Sequence, residues 1–273
     1  MSIKFYAPLW GNTRSFEEFC KHVAEAGYDG VEMELPLEVK AKREVLNTLK
    51  EYDLELIGQY YQSFEPDPVA NLDAYRRYLE HLLEAGPAAV NCQTGKDFFS
   101  FEENEPHFSL ARRLSEASGI PITHETHRGK CLYSAPVAVG YFKKIPELRI
   151  CLDISHWCNV HESLLEDQKE AVELAITRTD HIHSRIGFAE GPQVNDPRAP
   201  EWSHALQAHL GWWDRVVQRH RMAGTSLRIT TEFGPFPYMP SLAYTQMPVA
   251  NQWEINVYML HLLKDRYLES PSS

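Results

Sequence analysis

Short apolar runs alternate with longer amphipathic stretches eight times along the chain, and this alternation restricts the possible folds more than any other feature. The runs are residues 3–8, 30–35, 54–61, 88–95, 121–127, 149–157, 180–187 and 227–236. They are rich in Ile, Val, Leu, Tyr and Phe and are bounded by Gly, Pro, Asp or Asn, the pattern of buried strands. The stretches between them carry helix signals. Ser15-Phe16-Glu17-Glu18 is a capping box, Phe16, Phe19, Val23 and Ala26 share one helical face, and Gly27 stops the helix. Residues 73–85 close on Gly86-Pro87, and residues 164–177, 202–223 and 253–268 follow the same logic, leaving 269–273 as a frayed tail. Eight β-then-α units in 273 residues fit a (β/α)8 TIM barrel. An open doubly wound sheet would carry a glycine-rich phosphate turn after its first strand. Pro8-Leu9-Trp10-Gly11-Asn12 holds a single glycine there, so a single TIM-barrel domain over 1–273 is expected.

Charge and cysteine usage narrow the function classes. Lys and Arg number 27 against 38 Asp and Glu, a net charge of −11, which argues against nucleic-acid or anionic-membrane partners. Five cysteines, Cys20, Cys92, Cys131, Cys151 and Cys158, form no CxxC pair, which points to a reducing cytoplasm. The start MSIKFYAPLW lacks the form of a signal peptide, and no apolar run suits a bilayer span.

Four of the predicted strands end in polar residues that a barrel interior would not otherwise tolerate. They are Thr123-His124-Glu125-Thr126-His127-Arg128, Leu152-Asp153-Ile154-Ser155-His156-Trp157, His181-Ile182-His183-Ser184-Arg185 and Thr230-Thr231-Glu232-Phe233. An unpaired buried charge costs several kcal/mol, so something must offset these. Strand alternation puts Glu125 and His127, Asp153 and Ser155, His181, His183 and Arg185, and Glu232 on the inward face. Ile122, Leu152, Ile154, Ile182, Ile229 and Phe233 fall on the outward face, where helices pack. In a TIM barrel, polar residues at the carboxyl ends of strands mark an active site. Glu125, Asp153 and His183 are each separated by roughly one βα unit, and an enlarged connection at 188–200 precedes Glu232. Three carboxylates and an imidazole converging there would repel without a cation. With one divalent ion they make a site suited to Mn²⁺, Mg²⁺, Co²⁺ or Zn²⁺.

These strand ends resemble the xylose isomerase-like TIM barrels, the sugar phosphate isomerase/epimerase superfamily. The resemblance implies a single-metal site of Glu125, Asp153, His183 and Glu232. It also implies a role for His156, in Asp153-x-x-His156, toward substrate or a second metal. In the epimerase branch the two glutamates exchange the substrate proton, which makes Glu125 and Glu232 the expected acid/base pair. His127, Arg128, His156 and Arg185 are candidate substrate contacts, the arginines for a phosphate or carboxylate. Ketose 3-epimerases carry an Arg and a Glu where Ala189 and Cys131 stand here, and endonuclease IV needs histidines that strands two to four lack. Those strands offer Glu32, Glu34, Gln59, Asn91, Cys92 and Gln93.

The expected activity is a metal-dependent isomerase or epimerase of a sugar, sugar phosphate or cyclitol. A carbohydrate lyase or hydrolase on the same scaffold and a metal-free sugar-binding barrel are the alternatives. The bland reading of Glu125 and Asp153 is an ion pair with Arg128 or Arg185. His181 is expected as a hydrogen-bonding support deeper in the barrel and His124 as an outward structural residue. Residues 190–198 form a candidate lid. Trp10, Tyr60, Trp157 and Trp202 are candidates for stacking on a sugar, with core packing the alternative for each. Cys151 and Cys158 suit buried apolar positions. Trp212-Trp213 hints at a partner surface and a homo-oligomer.

Overall fold

The computed structural model describes residues 2–268, so the tail expected at 269–273 lies outside the described residues. Eight parallel strands close into a barrel in sequence order. They are β1 (Ile3–Pro8), β2 (Gly30–Met33), β3 (Glu55–Tyr60), β4 (Ala89–Cys92), β5 (Ile122–Glu125), β6 (Ile150–Leu152), β7 (Thr179–His183) and β8 (Leu227–Thr230). Helices α1 (Phe16–Ala26), α2 (Val39–Glu51), α3 (Pro68–Leu83), α4 (Phe101–Ser118) and α5 (Ala135–Lys144) follow the first five strands. Two helices, α6 (Ile154–Val160) and α7 (Lys169–Arg178), follow β6, then α8 (Ser203–Ala223) follows β7 and α9 (Gln252–Tyr267) closes the ring. This is the (β/α)8 barrel that the alternation predicts.

Local chemistry explains the helix boundaries. The Ser15 hydroxyl accepts from Glu18 N and the Glu18 carboxylate accepts from Ser15 N, completing the expected capping box on α1. Gly27 then turns into the left-handed region at φ 86°, which a side chain would disfavour. α3 begins earlier than its sequence pattern indicates, because Asp67 caps it and Pro68 occupies its first turn.

Every strand but β1 ends earlier than predicted, and after β6 the predicted strand residues become helix. The run 149–157 is strand only to Leu152; Asp153 caps α6, accepting from Ser155 N, so Ser155, His156 and Trp157 are helical. His127, Arg185 and Glu232 likewise stand in loops just past their strands.

The main core lies between the outward strand faces and the helices, with Phe5, Val31, Ile122, Leu152, Ile182 and Ile229 on the strand side. Inside the barrel, Tyr6, Ile57 and Ala89 form a small apolar plug. Gly30 carries no side chain there because the Tyr6 ring and the Glu55 carbonyl occupy its Cβ position. All five cysteines are buried and unbonded to each other. Tyr60, Trp157 and Trp213 are fully buried in the core, Trp212 is half-buried, and Trp202 packs on Phe188. No helix among the described residues is long and apolar enough to cross a membrane.

Three histidines pack among the helices as neutral rings. His124 faces outward against Phe108 and pairs Nδ1 with the Thr94 hydroxyl at 2.7 Å. His107 meets Asn71 Oδ1 at 3.0 Å, and His209 accepts from Gly187 N at 3.1 Å. Burial pushes His124 down to about 3 and both His107 and His209 down to about 4. These values lie below the unfolded value of about 6.5, so the unfolded chain binds more protons on acidification. Stability is therefore expected to fall as pH drops through 6.5, by about 1.4 kcal/mol per pH unit for each ring. Urea midpoints at pH 7, 6 and 5 test this; equal midpoints would contradict it.

Candidate metal centre

Barrel closure brings four strand ends to one point. Glu125 is the last residue of β5, Asp153 follows β6, His183 ends β7, and Glu232 lies two residues beyond β8. One ligand atom from each lies within 4.8 Å of every other, and all four side chains are buried. A second group, Glu125, His127 and His156, satisfies the same spacing.

The His183 ring identifies the focus. Its Nε2 lies 3.1 Å from both oxygens of Glu32, to which it donates, so Nδ1 faces the other carboxylates. Nδ1 is 2.9 Å from Glu232 Oε2 and 3.7 Å from Glu125 Oε1, yet Nδ1 and Glu125 Oε1 are both without a hydrogen-bond partner. Although burial opposes it, Cys151, Glu232, Glu32 and Glu125 push His183 well above the usual imidazole range, so a proton on this ring offsets the carboxylates and a divalent ion would take its place. The donor set therefore fits a divalent metal. Burial and the neighbouring carboxylates push Glu125 up to about 8, with His183 opposing, and burial also raises Asp153 despite Arg185.

A polar layer beneath supports the site. Asn91 Nδ2 lies 3.0 Å from Glu32 Oε1 and 3.1 Å from Glu125 Oε2, and Thr230 donates to Glu32. His181 sits deeper, as expected, 2.9 Å from the Thr230 hydroxyl. Although burial opposes it, the His183 and His181 charges and the bonds from His183 and Thr230 hold Glu32 down at about 2. Glu32 thus fixes the tautomer and orientation of His183, a role its place in β2 does not disclose. Exchanging Glu32 for Gln is expected to weaken Mn²⁺ affinity by about 10–100-fold. Isothermal titration measures it, and unchanged affinity would show that Glu32 does not orient His183.

Among the described residues, Arg185 is the one arginine or lysine inside this cluster. Its Nη2 donates to Asp153 Oδ2, Nε lies 3.2 Å from Ser155 Oγ, and Nη1 lies 3.5 Å from Glu232 Oε2. Nη2 also meets His156 Nε2 at 2.9 Å. The bland pairing of Asp153 with Arg185 is thus present, whereas Glu125 hydrogen-bonds Asn91 instead. The His156 ring also lies against His127, with ring centroids 3.9 Å apart and the planes tilted by 50°. Arg128 is exposed, bonded to Asn159 Oδ1 at 3.1 Å and lying over the Tyr238 ring at 5.1 Å.

A cavity of about 380 Å³ opens above the cluster, a size suited to a small molecule. Glu232, Arg185 and His127 contribute to its wall, while Glu125, Arg128 and His156 do not line it. The remaining wall includes Glu34, Gln59 and Gln93 from the ends of β2, β3 and β4, with Trp10, Tyr61 and Tyr238 as aromatic faces. The polar residues at these three strand ends were a usable sequence signal; Tyr238, in the loop after β8, carried none. Trp10 reaches the wall because Gly234 has no side chain to block its ring. Residues 190–198 do not line the cavity. Gln193 exchanges two hydrogen bonds with Gly234 and Val194 N bonds Ile186 O, so the segment packs beside the β8 end rather than over the cavity. A larger groove of about 490 Å³ lies between α4 and α5, away from these strand ends.

The profile of the xylose isomerase-like TIM barrel family matches residues 20–196, and the chain belongs to that family. No curated protein is matched by sequence. Among solved structures, the chain is similar to a 3-keto-D-glucoside 4-epimerase from E. coli, with 16% identity and a TM-score of 0.61 over 97% of this chain and 99% of that one. A D-psicose 3-epimerase from Clostridium cellulolyticum H10 gives 15% identity and 0.60, covering 98% of this chain and 100% of that one. A probable 3-DHS dehydratase from Bacillus anthracis gives 16% and 0.58 over 96% and 99%. At these identities the likeness establishes the shared fold.

Proposed function

We propose that the protein is a divalent-metal-dependent isomerase or epimerase acting on a keto sugar, sugar phosphate or cyclitol. The observation that carries this reading is the convergence of Glu125, Asp153, His183 and Glu232 beneath a polar, aromatic-walled cavity that Glu232 helps to line. Glu125, Asp153, His183 and Glu232 would hold the ion. Once bound, it supplies Lewis acidity toward a carbonyl oxygen, acidifying the adjacent C–H.

The chain's own groups do the rest. The Glu232 carboxylate faces the cavity and removes the proton from carbon. Arg185 pairs with both Asp153 and Glu232 and offsets their charge in a buried setting. Glu125, on the neighbouring side of the cluster, is the second carboxylate of the acid/base pair and returns a proton to carbon. The His127 Nδ1 pairs with the Arg128 carbonyl at 2.6 Å, which leaves Nε2 as an acceptor for a substrate hydroxyl. Family membership and structural neighbours named as epimerases support the same reading.

The experiment is solvent-deuterium incorporation into keto sugars by the Mn²⁺-loaded protein. Deuterium in recovered substrate or its isomer, with no fragment released, is the expected result. Elimination products would replace isomerisation by a lyase reaction, and ligand binding without exchange would indicate a binding barrel.

A further inference from the structure

Resting on the keto-sugar reading of the cavity, we infer that the substrate is an uncharged polyhydroxy carbonyl compound and that Glu34 excludes its phosphorylated and carboxylated counterparts. The wall presents two carboxylates, Glu34 and Glu232, and one guanidinium, Arg185. That guanidinium is already bound to Asp153, Ser155 and the Glu232 carboxylate, so its donors are not directed to an incoming anion.

Arg128 and Lys130, whose partners include residues of this wall, are not themselves part of it. Arg128 is held by Asn159 and the Tyr238 ring. Lys130 is buried with its ammonium 3.3 Å from the Ser63 carbonyl, 3.5 Å from the Tyr61 carbonyl and beside the Phe64 ring. A phosphate dianion entering this cavity would leave water without the charged donors that make such burial favourable.

Glu34 sharpens the selection. It is exposed at the end of β2, and its carboxylate accepts from the Tyr61 hydroxyl at 3.0 Å and from the Gln62 amide. Both donors are neutral, so the full negative charge stays at the wall. A hydroxyl can donate to this carboxylate; a phosphate or carboxylate is repelled by it. The Gln59 and Gln93 amides can donate and accept, and Trp10, Tyr61 and Tyr238 offer flat apolar faces. That combination suits a ligand with hydroxyls at its edge and C–H groups on its faces.

The test compares Mn²⁺-loaded wild type, Glu34→Gln and Glu34→Lys on neutral ketohexoses and on their 6-phosphate esters, by deuterium exchange and isothermal titration. Wild type is expected to favour the neutral sugars by about ten-fold or more, and raising salt is expected to shrink that gap. Glu34→Gln should narrow the preference several-fold and Glu34→Lys should abolish or reverse it. A wild type that prefers the esters, or a Glu34→Lys preference equal to wild type, overturns the inference while leaving the isomerase reading in place. Binding and exchange with neither class sink the keto-sugar reading, and this inference with it.

Discussion

Replacing Glu232 by Gln is expected to lower deuterium exchange at saturating Mn²⁺ by about 10²–10⁴-fold, the usual contribution of a positioned acid or base. Gln keeps an oxygen near His183 Nδ1 and preserves the side-chain volume, so the fold survives and the lost group is the base. Glu125→Gln should fall in the same range, because it removes the second carboxylate of the acid/base pair. Mass spectrometry of recovered sugar after incubation in D₂O separates the two roles. If Glu125 and Glu232 act on opposite faces of one carbon, each variant still exchanges slowly from the face its remaining carboxylate serves. Wild-type rates in both variants would remove these residues from the chemistry.

The other large effect concerns Arg185. Its charge is fully buried against Asp153 and Glu232, and breaking such a pair from one side strands the carboxylates that remain. Arg185→Met is expected to cost about 3–5 kcal/mol in the metal-free protein. Saturating Mn²⁺ should recover part of that loss, because a bound cation would neutralise the same carboxylates and binding to the folded state adds stability. Urea unfolding with Mn²⁺ and with chelator measures both quantities. An unchanged midpoint without metal would mean that Asp153 and Glu232 are neutral there.

Much of the barrel is legible because each signal is local. The Ser15 to Glu18 box and Gly27 define α1 from neighbouring residues, and the apolar runs locate all eight strands. The strand ends are not local in this sense. Asp153-Ile154-Ser155-His156 continues the alternation of β6, while Asp153 accepting from Ser155 N begins a helix instead. Pro106 inside α4 and Gly140 inside α5 interrupt the helical pattern, so neither helix stands out before the structure shows it.

Within the site, Glu125, Asp153, His183 and Glu232 are conspicuous as charges in apolar strands, and the barrel brings them together. Glu32 is just as buried and also a charge in an apolar strand, but its role is not legible locally, because its partner His183 lies 151 positions away and meets it only on closure. Arg185 is visible as a candidate, yet its engagement with Asp153 depends on the turn into α6. Sequence parity puts Glu125 and Glu232 on one inward face; the structure gives the cavity wall to Glu232 alone.

The most direct measurement is metal content by mass spectrometry on untagged protein, with wild type beside an Asp153→Asn, His183→Ala double variant. The account predicts about one divalent ion per chain in wild type and its loss in the variant. Absence of metal in both after reloading with Mn²⁺, Co²⁺ and Zn²⁺ would contradict it, leaving Asp153 and Arg185 as a buried ion pair.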